Sequence, residues 1–282
     1  MPDASGFAAR ALACAREAAT IILDRRARGA APSRKGDGTP VTDADRDAEA
    51  SIVRTLRAAF PDLPIVSEEA AASGTLPARI AHAYALVDAL DGTREFVGGG
   101  SDFTVNIALV AGGSVAASVV LLPACGTAYL RDGRGSFRLA REEETRLRVD
   151  PGWTAPGRAV RIVASRSHMD AATRAYCERW RAARACRFAR AGSSLKICRL
   201  AENGADIYPR LAPTMQWDTA AAQGVLEGAG GCLHVAGAAG ADGAAAIGAR
   251  LRYAPPVGPD ARGTLRNPAF VAFAAAEPVE PV

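Results

Sequence analysis

Two aspartates placed three positions apart follow an apolar run that predicts a buried strand at residues 84–87. Asp88 and Asp91 bracket a tight bend, so both carboxylates can face one point. Carboxylates together with a backbone carbonyl suit a hard cation such as Mg²⁺, and free N–H groups after Asp91 offer a place for a phosphate. An ordinary Asx-type turn at the end of a strand explains the same residues equally well.

Other acids stand where predicted elements begin or end. Asp45 lies three residues after Thr42, a spacing typical of a capping box at a helix N-terminus. Glu68 follows a short apolar strand, and Asp218 opens a predicted helix. Acids are favoured near helix N-termini for structural reasons alone; the alternative is that one of them reaches into a site. The first turns of the helix after Thr42 contain four acids: Asp43, Asp45, Asp47 and Glu49.

The composition is that of a globular protein able to bury a core. The chain has 282 residues, of which 49% are apolar and 23% charged. The net charge of +4 is spread along the chain, which fits an anionic small ligand and gives no support to nucleic acid binding. The six cysteines form no C-x-x-C pair, and the N-terminus has no secretory apolar region. We therefore predict a reduced, cytoplasmic protein without a zinc site or a disulfide framework.

One stretch, residues 107–126, has no charged residue and is long enough to span a bilayer on length alone. Gly112 and Gly113 interrupt it, and Pro123 comes near its end. Its β-branched residues and central glycine pair favour two strands joined by a tight turn. We predict a hairpin here and no transmembrane segment.

The remaining pattern predicts strands in the first half and alternating strands and helices in the second. We place two domains at residues 1–145 and 146–282, with the boundary in a charged and then Pro/Gly-rich stretch. Predicted helices cover 7–28, 43–60, 169–183, 195–202 and 217–228, and predicted strands cover 64–67, 84–87, 103–110, 114–122, 127–131, 136–139, 159–164, 187–189, 206–211 and, as the last strand, 233–236. Residues 70–79 and 236–248 are predicted loops.

Two motifs carry a resemblance to a known family. Asp88-Ala89-Leu90-Asp91-Gly92-Thr93 resembles the first motif of the inositol monophosphatase superfamily, and Trp217-Asp218-Thr219-Ala220-Ala221 resembles its second. The resemblance extends over residues 40–268. It implies a layered αβαβα sandwich and a phosphatase that depends on Mg²⁺ and is sensitive to lithium. Segments at 39–42, 67–69, 165–168, 192–196 and 208–210 are most similar to the 3′(2′),5′-bisphosphate nucleotidase branch of the superfamily.

The resemblance also implies roles for individual residues. It assigns two or three Mg²⁺ ions to Glu68, Asp88, the carbonyl of Leu90, Asp91 and Asp218. It assigns activation of the attacking water to Asp45 and Thr93. It also implies a catalytic role for Glu68.

The implied substrate is adenosine 3′,5′-bisphosphate, with its sulfated relative as a second candidate. The expected substrate-binding residues are Glu68, Leu90, Asp91, Gly92, Thr93, Ser193, Lys196, Arg210 and Asp218, with Arg166 and His168 as further candidates for the second phosphate. Lys196 could equally be a solvated surface charge, and Ser193 a helix cap. The resemblance allows a homodimer and peripheral attachment to the inner face of the cell membrane.

Ala89 departs from the family, which usually has proline there. Proline fixes φ, so alanine is expected to loosen the turn and weaken metal binding while keeping every ligand. The nearest alternative is a phosphatase for inositol 1-phosphate or another sugar phosphate. A binding protein without turnover is a further alternative, and Ala89 is its only support.

Overall fold

The computed structural model describes residues 2–29, 33–34, 40–80, 82–141, 143–165, 169–237, 245–256 and 261–281. Within them the helices are α1 (Ala4–Ala27), α2 (Asp43–Ala59), α3 (Glu68–Ala72), α4 (Thr93–Val97), α5 (Ala171–Ala183), α6 (Leu195–Ala201), α7 (Gln216–Gly228) and α8 (Ala261–Thr264), with a 3₁₀ turn at Pro151–Thr154.

The strands of the described residues are β1 (Ser33–Arg34), β2 (Pro40–Val41), β3 (Ile65–Ser67), β4 (Ala83–Asp91), β5 (Thr104–Ala111), β6 (Ser114–Leu122), β7 (Thr127–Asp132), β8 (Gly135–Ala140), β9 (Glu143–Arg146), β10 (Val160–Ser165), β11 (Cys186–Ala191), β12 (Ile207–Arg210), β13 (Thr214–Met215), β14 (Cys232–Ala236), β15 (Ile247–Arg250), β16 (Arg266–Asn267) and β17 (Phe270–Phe273).

These elements form five layers, as the resemblance implied. Helices α1 and α2 cover one face of a sheet with strand order β3-β4-β5-β6-β7-β8-β9. Helix α7 packs on the opposite face of that sheet, beside α6. A second sheet, with strand order β11-β10-β12-β17-β14-β15, contacts α6 and α7 from the other side, and α5 packs against it. The fold is therefore an αβαβα sandwich.

Local sequence signals account for the first two helices. Phe7, Ala11 and Ile22 recur on one face of α1 and are fully buried, which confirms the predicted helical spacing. Helix α2 begins as predicted: the Thr42 side chain accepts from the N–H of Ala44, and the Asp45 carboxylate accepts from the N–H of Thr42. The capping box fixes where Asp45 stands.

The uncharged run forms the predicted hairpin. Strands β5 and β6 pair antiparallel, and Gly112 and Gly113 connect them with φ values of +55° and +77°. Positive φ at two successive positions is what a tight hairpin turn needs and what glycine allows. No helix in the described ranges combines the length and apolarity needed to cross a membrane.

Several boundaries differ from the sequence predictions. Part of the predicted 70–79 loop is helical, because α3 begins at Glu68 and runs into it. Strand β9 lies in the charged stretch and pairs with β8 at the sheet edge, where exposed polar residues are tolerated. The predicted division into two domains, between residues 145 and 146, falls inside β9 and stays a prediction.

The strand at 232–236 is not the last. Strand β17 follows it and inserts between β12 and β14, where Phe270–Phe273 is completely buried. A four-residue apolar run in an alanine-rich tail is a weak local signal, and its place depends on long-range pairing. Residues 238–244, within the predicted 236–248 loop, lie outside the described residues.

Candidate active site

A cavity of about 230 Å³ opens where β4, α3, α6 and α7 meet. Among the described residues, its lining brings together all but one of the residues to which the motif resemblance assigns a role. The exception is Asp45, which lies just behind it and contacts the lining residue Thr93. The predicted residues in the lining are Glu68, Asp88, Leu90, Asp91, Gly92, Thr93, Ser193, Lys196, Arg210 and Asp218.

Strand β4 positions the central aspartates. It does not stop at Val87 as predicted but continues through Asp91, with a register shift against β5 between Asp88 and Asp91. Such an irregularity re-aims side chains near the end of a strand. The Leu90 N–H donates to Asp88 Oδ1 at 3.0 Å, so the bend also has the local hydrogen bond of an Asx turn.

Gly92 ends this segment in a conformation that favours glycine. Its φ is +90°, and a Cβ there would lie 3.0 Å from the carbonyl oxygen of Asp102. The close approach and the positive φ both disfavour a side chain. Thr93 then opens α4 and is one of the residues that line the cavity.

Asp45 and Thr93 form a hydrogen-bonded pair. Asp45 Oδ2 accepts from both the N–H and the hydroxyl of Thr42, each at 2.7 Å, which leaves Oδ1 to accept from Thr93 Oγ1 at 3.2 Å. The Thr93 hydroxyl also lies 3.2 Å from the carbonyl oxygen of Leu90. Burial raises the pKa of Asp45, although hydrogen bonds from Thr42 oppose the shift. The pair can therefore orient a hydroxyl and take up a proton.

Glu68 and Asp218 reach the cavity from helix starts. Glu68 is the first residue of α3, directly after β3, and is half-buried. Asp218 lies in the first turn of α7 and accepts from the N–H of Met215 at 2.8 Å. Both positions match the sequence prediction of acids at element ends.

The four carboxylates repel one another in a poorly solvated space. Burial, followed by the charges of Glu68, Asp91 and Asp218, raises the pKa of Asp88 well above its usual range. Burial and the charge of Asp91 raise the pKa of Asp218 well above its usual range too. A nearby cation would relieve this repulsion.

Oxygen donors of this kind suit Mg²⁺ chemically. The cavity offers carboxylates from three elements and the backbone carbonyl of Leu90. As the side chains stand, however, no group of three or more His, Cys, Asp or Glu residues in the described part of the chain is arranged to hold a metal ion. The chemical types of the donors suit Mg²⁺, but the carboxylates would have to move closer together to bind it.

A buried cation lines the same cavity. Lys196 is 6% exposed, its Nζ donates to the carbonyl oxygen of Ser193, and it lies 5.5 Å from the centre of the Tyr208 ring. Burial lowers its pKa to about 8, while the charge of Asp91 acts in the other direction. Lys196 is thus not a solvated surface charge. Arg210 lines the same cavity.

The turn before α6 connects the segment that carries Lys196 to the central aspartates. Asp91 Oδ2 accepts from the N–H of Ser194 at 2.5 Å, and the Ser194 hydroxyl donates to Asn106 Oδ1 at 2.8 Å. Asp91 has a raised pKa because of burial, offset by Lys196. Ser193 has a positive φ of 47°, and its hydroxyl accepts from Leu195 N–H at 3.4 Å, a weak capping contact.

Sequence reasoning did not assign Asn106 or Ser194 to the site. The only signal for Asn106 was a polar residue inside an otherwise apolar strand, and Ser194 was included only as part of the 192–196 segment that is similar to the nucleotidase branch. Arg166 and His168, named for a second phosphate, lie outside the described residues.

Comparison with known proteins identifies the class of the chain. The sequence model of the inositol monophosphatase family matches residues 3–254. The 3′(2′),5′-bisphosphate nucleotidase CysQ of Escherichia coli K12 is 38% identical over 201 residues, which are 71% of this chain and 78% of the relative.

Solved structures agree. CysQ from Bacteroides thetaiotaomicron, described as a bacterial member of the inositol monophosphatase family, has a TM-score of 0.74 and 30% identity, covering 97% of this chain and 98% of that one. The Thermotoga maritima inositol monophosphatase has a TM-score of 0.68 at 22% identity, covering 94% and 91%, and shows the fold alone. The fold and these relatives define a phosphatase. The chain belongs to the inositol monophosphatase family.

Proposed function

We propose that the chain is a Mg²⁺-dependent 3′(2′),5′-bisphosphate nucleotidase, which removes the 3′-phosphate of adenosine 3′,5′-bisphosphate to give AMP and phosphate. The observation that carries the proposal is that one cavity is lined both by four acidic side chains and by the buried Lys196 together with Arg210. The acids suit a metal-assisted phosphate hydrolysis, and the cations suit a second phosphate. The 38% identity to CysQ supports the same substrate class.

The proposed metal ligands are the acidic set and one carbonyl. Glu68, Asp88, Asp91, Asp218 and the Leu90 carbonyl oxygen would hold Mg²⁺. When bound, Mg²⁺ would lower the pKa of a water molecule and neutralise charge on the phosphate and the leaving oxygen. The raised pKa values of Asp88 and Asp218 support this assignment, because they reflect a concentration of negative charge that a cation would stabilise.

Thr93 and Asp45 would position and deprotonate the attacking water. The Thr93 hydroxyl can accept a hydrogen bond from the water while it donates its own proton to Asp45 Oδ1. Asp45 is suited to accept the proton because burial raises its pKa and because Thr42 holds its other oxygen in place. The N–H groups of Gly92 and Thr93 are proposed to contact the phosphate oxygens.

Lys196 and Arg210 would bind the second phosphate. Burial of the Lys196 ammonium group is costly, and its pKa is lowered to about 8 in spite of the charge of Asp91. A phosphate beside it would restore the charged form. Ser193, which lines the same cavity, would contact the ribose. The cytoplasm as compartment and a homodimer as assembly stay predictions.

Two aspartates on α2 provide a matched test. Asp45→Asn should lower kcat for Mg²⁺-dependent phosphate release from adenosine 3′,5′-bisphosphate by about 10²- to 10⁴-fold, the usual contribution of a general base. Asp43 lies two residues earlier, is exposed, and forms a surface ion pair with Arg46, so Asp43→Asn should keep wild-type activity. Equal activity of the two variants would contradict the role of Asp45.

A further inference from the structure

Glu49 is a buried acid that the reaction scheme above does not use. It lies on α2 one turn after Asp45 and is 6% exposed. Its Oε1 accepts from the Ser67 hydroxyl at 2.6 Å and from the Ala70 N–H at 3.2 Å, and its Oε2 accepts from the Glu69 N–H at 2.9 Å. All three donors belong to the segment that carries Glu68.

These bonds cap α3 from another helix. The N-cap residue of α3, Ser67, makes no side-chain capping bond to its own helix; its hydroxyl donates to Glu49 instead. Helix α3 has only five residues, and so short a helix is not stable on its own. The carboxylate of Glu49 satisfies N–H groups of the first turn that would otherwise lack an intrahelical partner.

Helix α2 therefore contacts two parts of the proposed reaction centre. Residues one turn apart lie on the same face of a helix, so Asp45 and Glu49 project from the same face of α2. Asp45 contacts Thr93, and Glu49 contacts the residues before and after Glu68. Any rotation of α3 that moved Glu68 would break bonds to Glu49.

We propose that Glu49 is a positioning residue that orients Glu68 for metal binding. This inference rests on the proposed function, in which Glu68 is a metal ligand. Partners that orient a ligand typically change metal affinity by about 10- to 100-fold when they are removed.

Glu49→Gln tests the proposal with little change in shape. An amide has one acceptor oxygen, so in either orientation its NH₂ group faces the N–H of Glu69 or of Ala70. We expect Mg²⁺ binding measured by titration calorimetry on the substrate-free protein to weaken about 10- to 100-fold. High Mg²⁺ should restore most of the kcat.

Ile52→Val is the matched control. Ile52 is fully buried on the same helix but packs in the core beneath the sheet, so this variant should lower the melting temperature and leave the Mg²⁺ affinity unchanged. If Glu49→Gln binds Mg²⁺ as tightly as wild type, or if Ile52→Val weakens binding equally, the positioning role is wrong and the proposed function stands. If wild type binds no Mg²⁺, both proposals are wrong.

Discussion

Replacing Gly192 with alanine should disturb the site through the backbone. A Cβ at Gly192 would lie 2.6 Å from the carbonyl oxygen of Asp102 and 2.8 Å from Cγ of Glu95. Ordinary contact begins at 3.4 Å, so the two chain segments must separate by about 0.8 Å. The turn that moves includes Ser194, whose N–H donates to Asp91.

This displacement gives an expected magnitude for both stability and rate. Over-packing of this kind costs about 1–3 kcal/mol, which corresponds to a fall in Tm of about 2–4 °C per kcal/mol for a chain of this size. A displacement of about 1 Å in a reaction centre can cost about 10²-fold in rate. We therefore expect kcat/KM for the bisphosphate to fall by about 10- to 100-fold.

Gly248→Ala is the control for this variant. A Cβ at Gly248 would make only an ordinary contact, 3.5 Å from the carbonyl oxygen of Val235, so Tm and kcat/KM should stay near wild type. Thermal unfolding and phosphate release would be measured on all three proteins. If Gly192→Ala behaved like Gly248→Ala, the close contact with Asp102 would not constrain the site as described.

Two further predictions concern charge. Asp88→Asn should abolish activity yet stabilise the metal-free protein by about 0.5–2 kcal/mol. Burial and neighbouring acids raise the folded-state pKa of Asp88, so the wild type loses stability as pH rises above about 4. Thermal unfolding without Mg²⁺, measured from pH 4 to 8, should therefore show that the variant becomes more stable relative to wild type as pH rises. Parallel curves for the two proteins would contradict the repulsion between the carboxylates. For Lys196, whose pKa is lowered to about 8, kcat/KM for the bisphosphate should fall above about pH 8 as the ammonium loses its proton. Lys196→Met should have a low kcat/KM that does not fall further above pH 8. If the fall persisted in this variant, it would be due to the titration of another group.

The sequence predicted most of what depends on local signals. The capping box at Thr42 and Asp45 and the glycine turn between β5 and β6 were confirmed because each is determined by residues a few positions apart. The acids at element ends reach one cavity as expected. The motif resemblance supplied the fold, which periodicity alone left at the level of a meander followed by alternating elements.

What the sequence missed depends on contacts distant in the chain. The capping of α3 by Glu49 and the contact of Ser194 with Asn106 join residues that no local pattern relates. The place of β17 inside the second sheet depends on pairing with two strands far from it in sequence. Its four residues carry too little local preference to reveal that position.

The burial of Lys196 could not be predicted from the sequence either. Its surroundings are α6 and the Tyr208 ring, which only the tertiary structure brings together. From sequence alone, a surface charge and a phosphate contact were equally acceptable interpretations of this residue.

The central claim is that this cavity selects a substrate with two phosphates. The measurement that tests it most directly compares kcat/KM for phosphate release from adenosine 3′,5′-bisphosphate, inositol 1-phosphate and AMP, in Mg²⁺ with and without lithium. We predict lithium-sensitive release with a strong preference for the bisphosphate. A preference for inositol 1-phosphate would contradict the assignment of Lys196 and Arg210 to a second phosphate and leave the carboxylate site standing; no release from any substrate by folded protein in Mg²⁺ would contradict the proposed catalytic site itself.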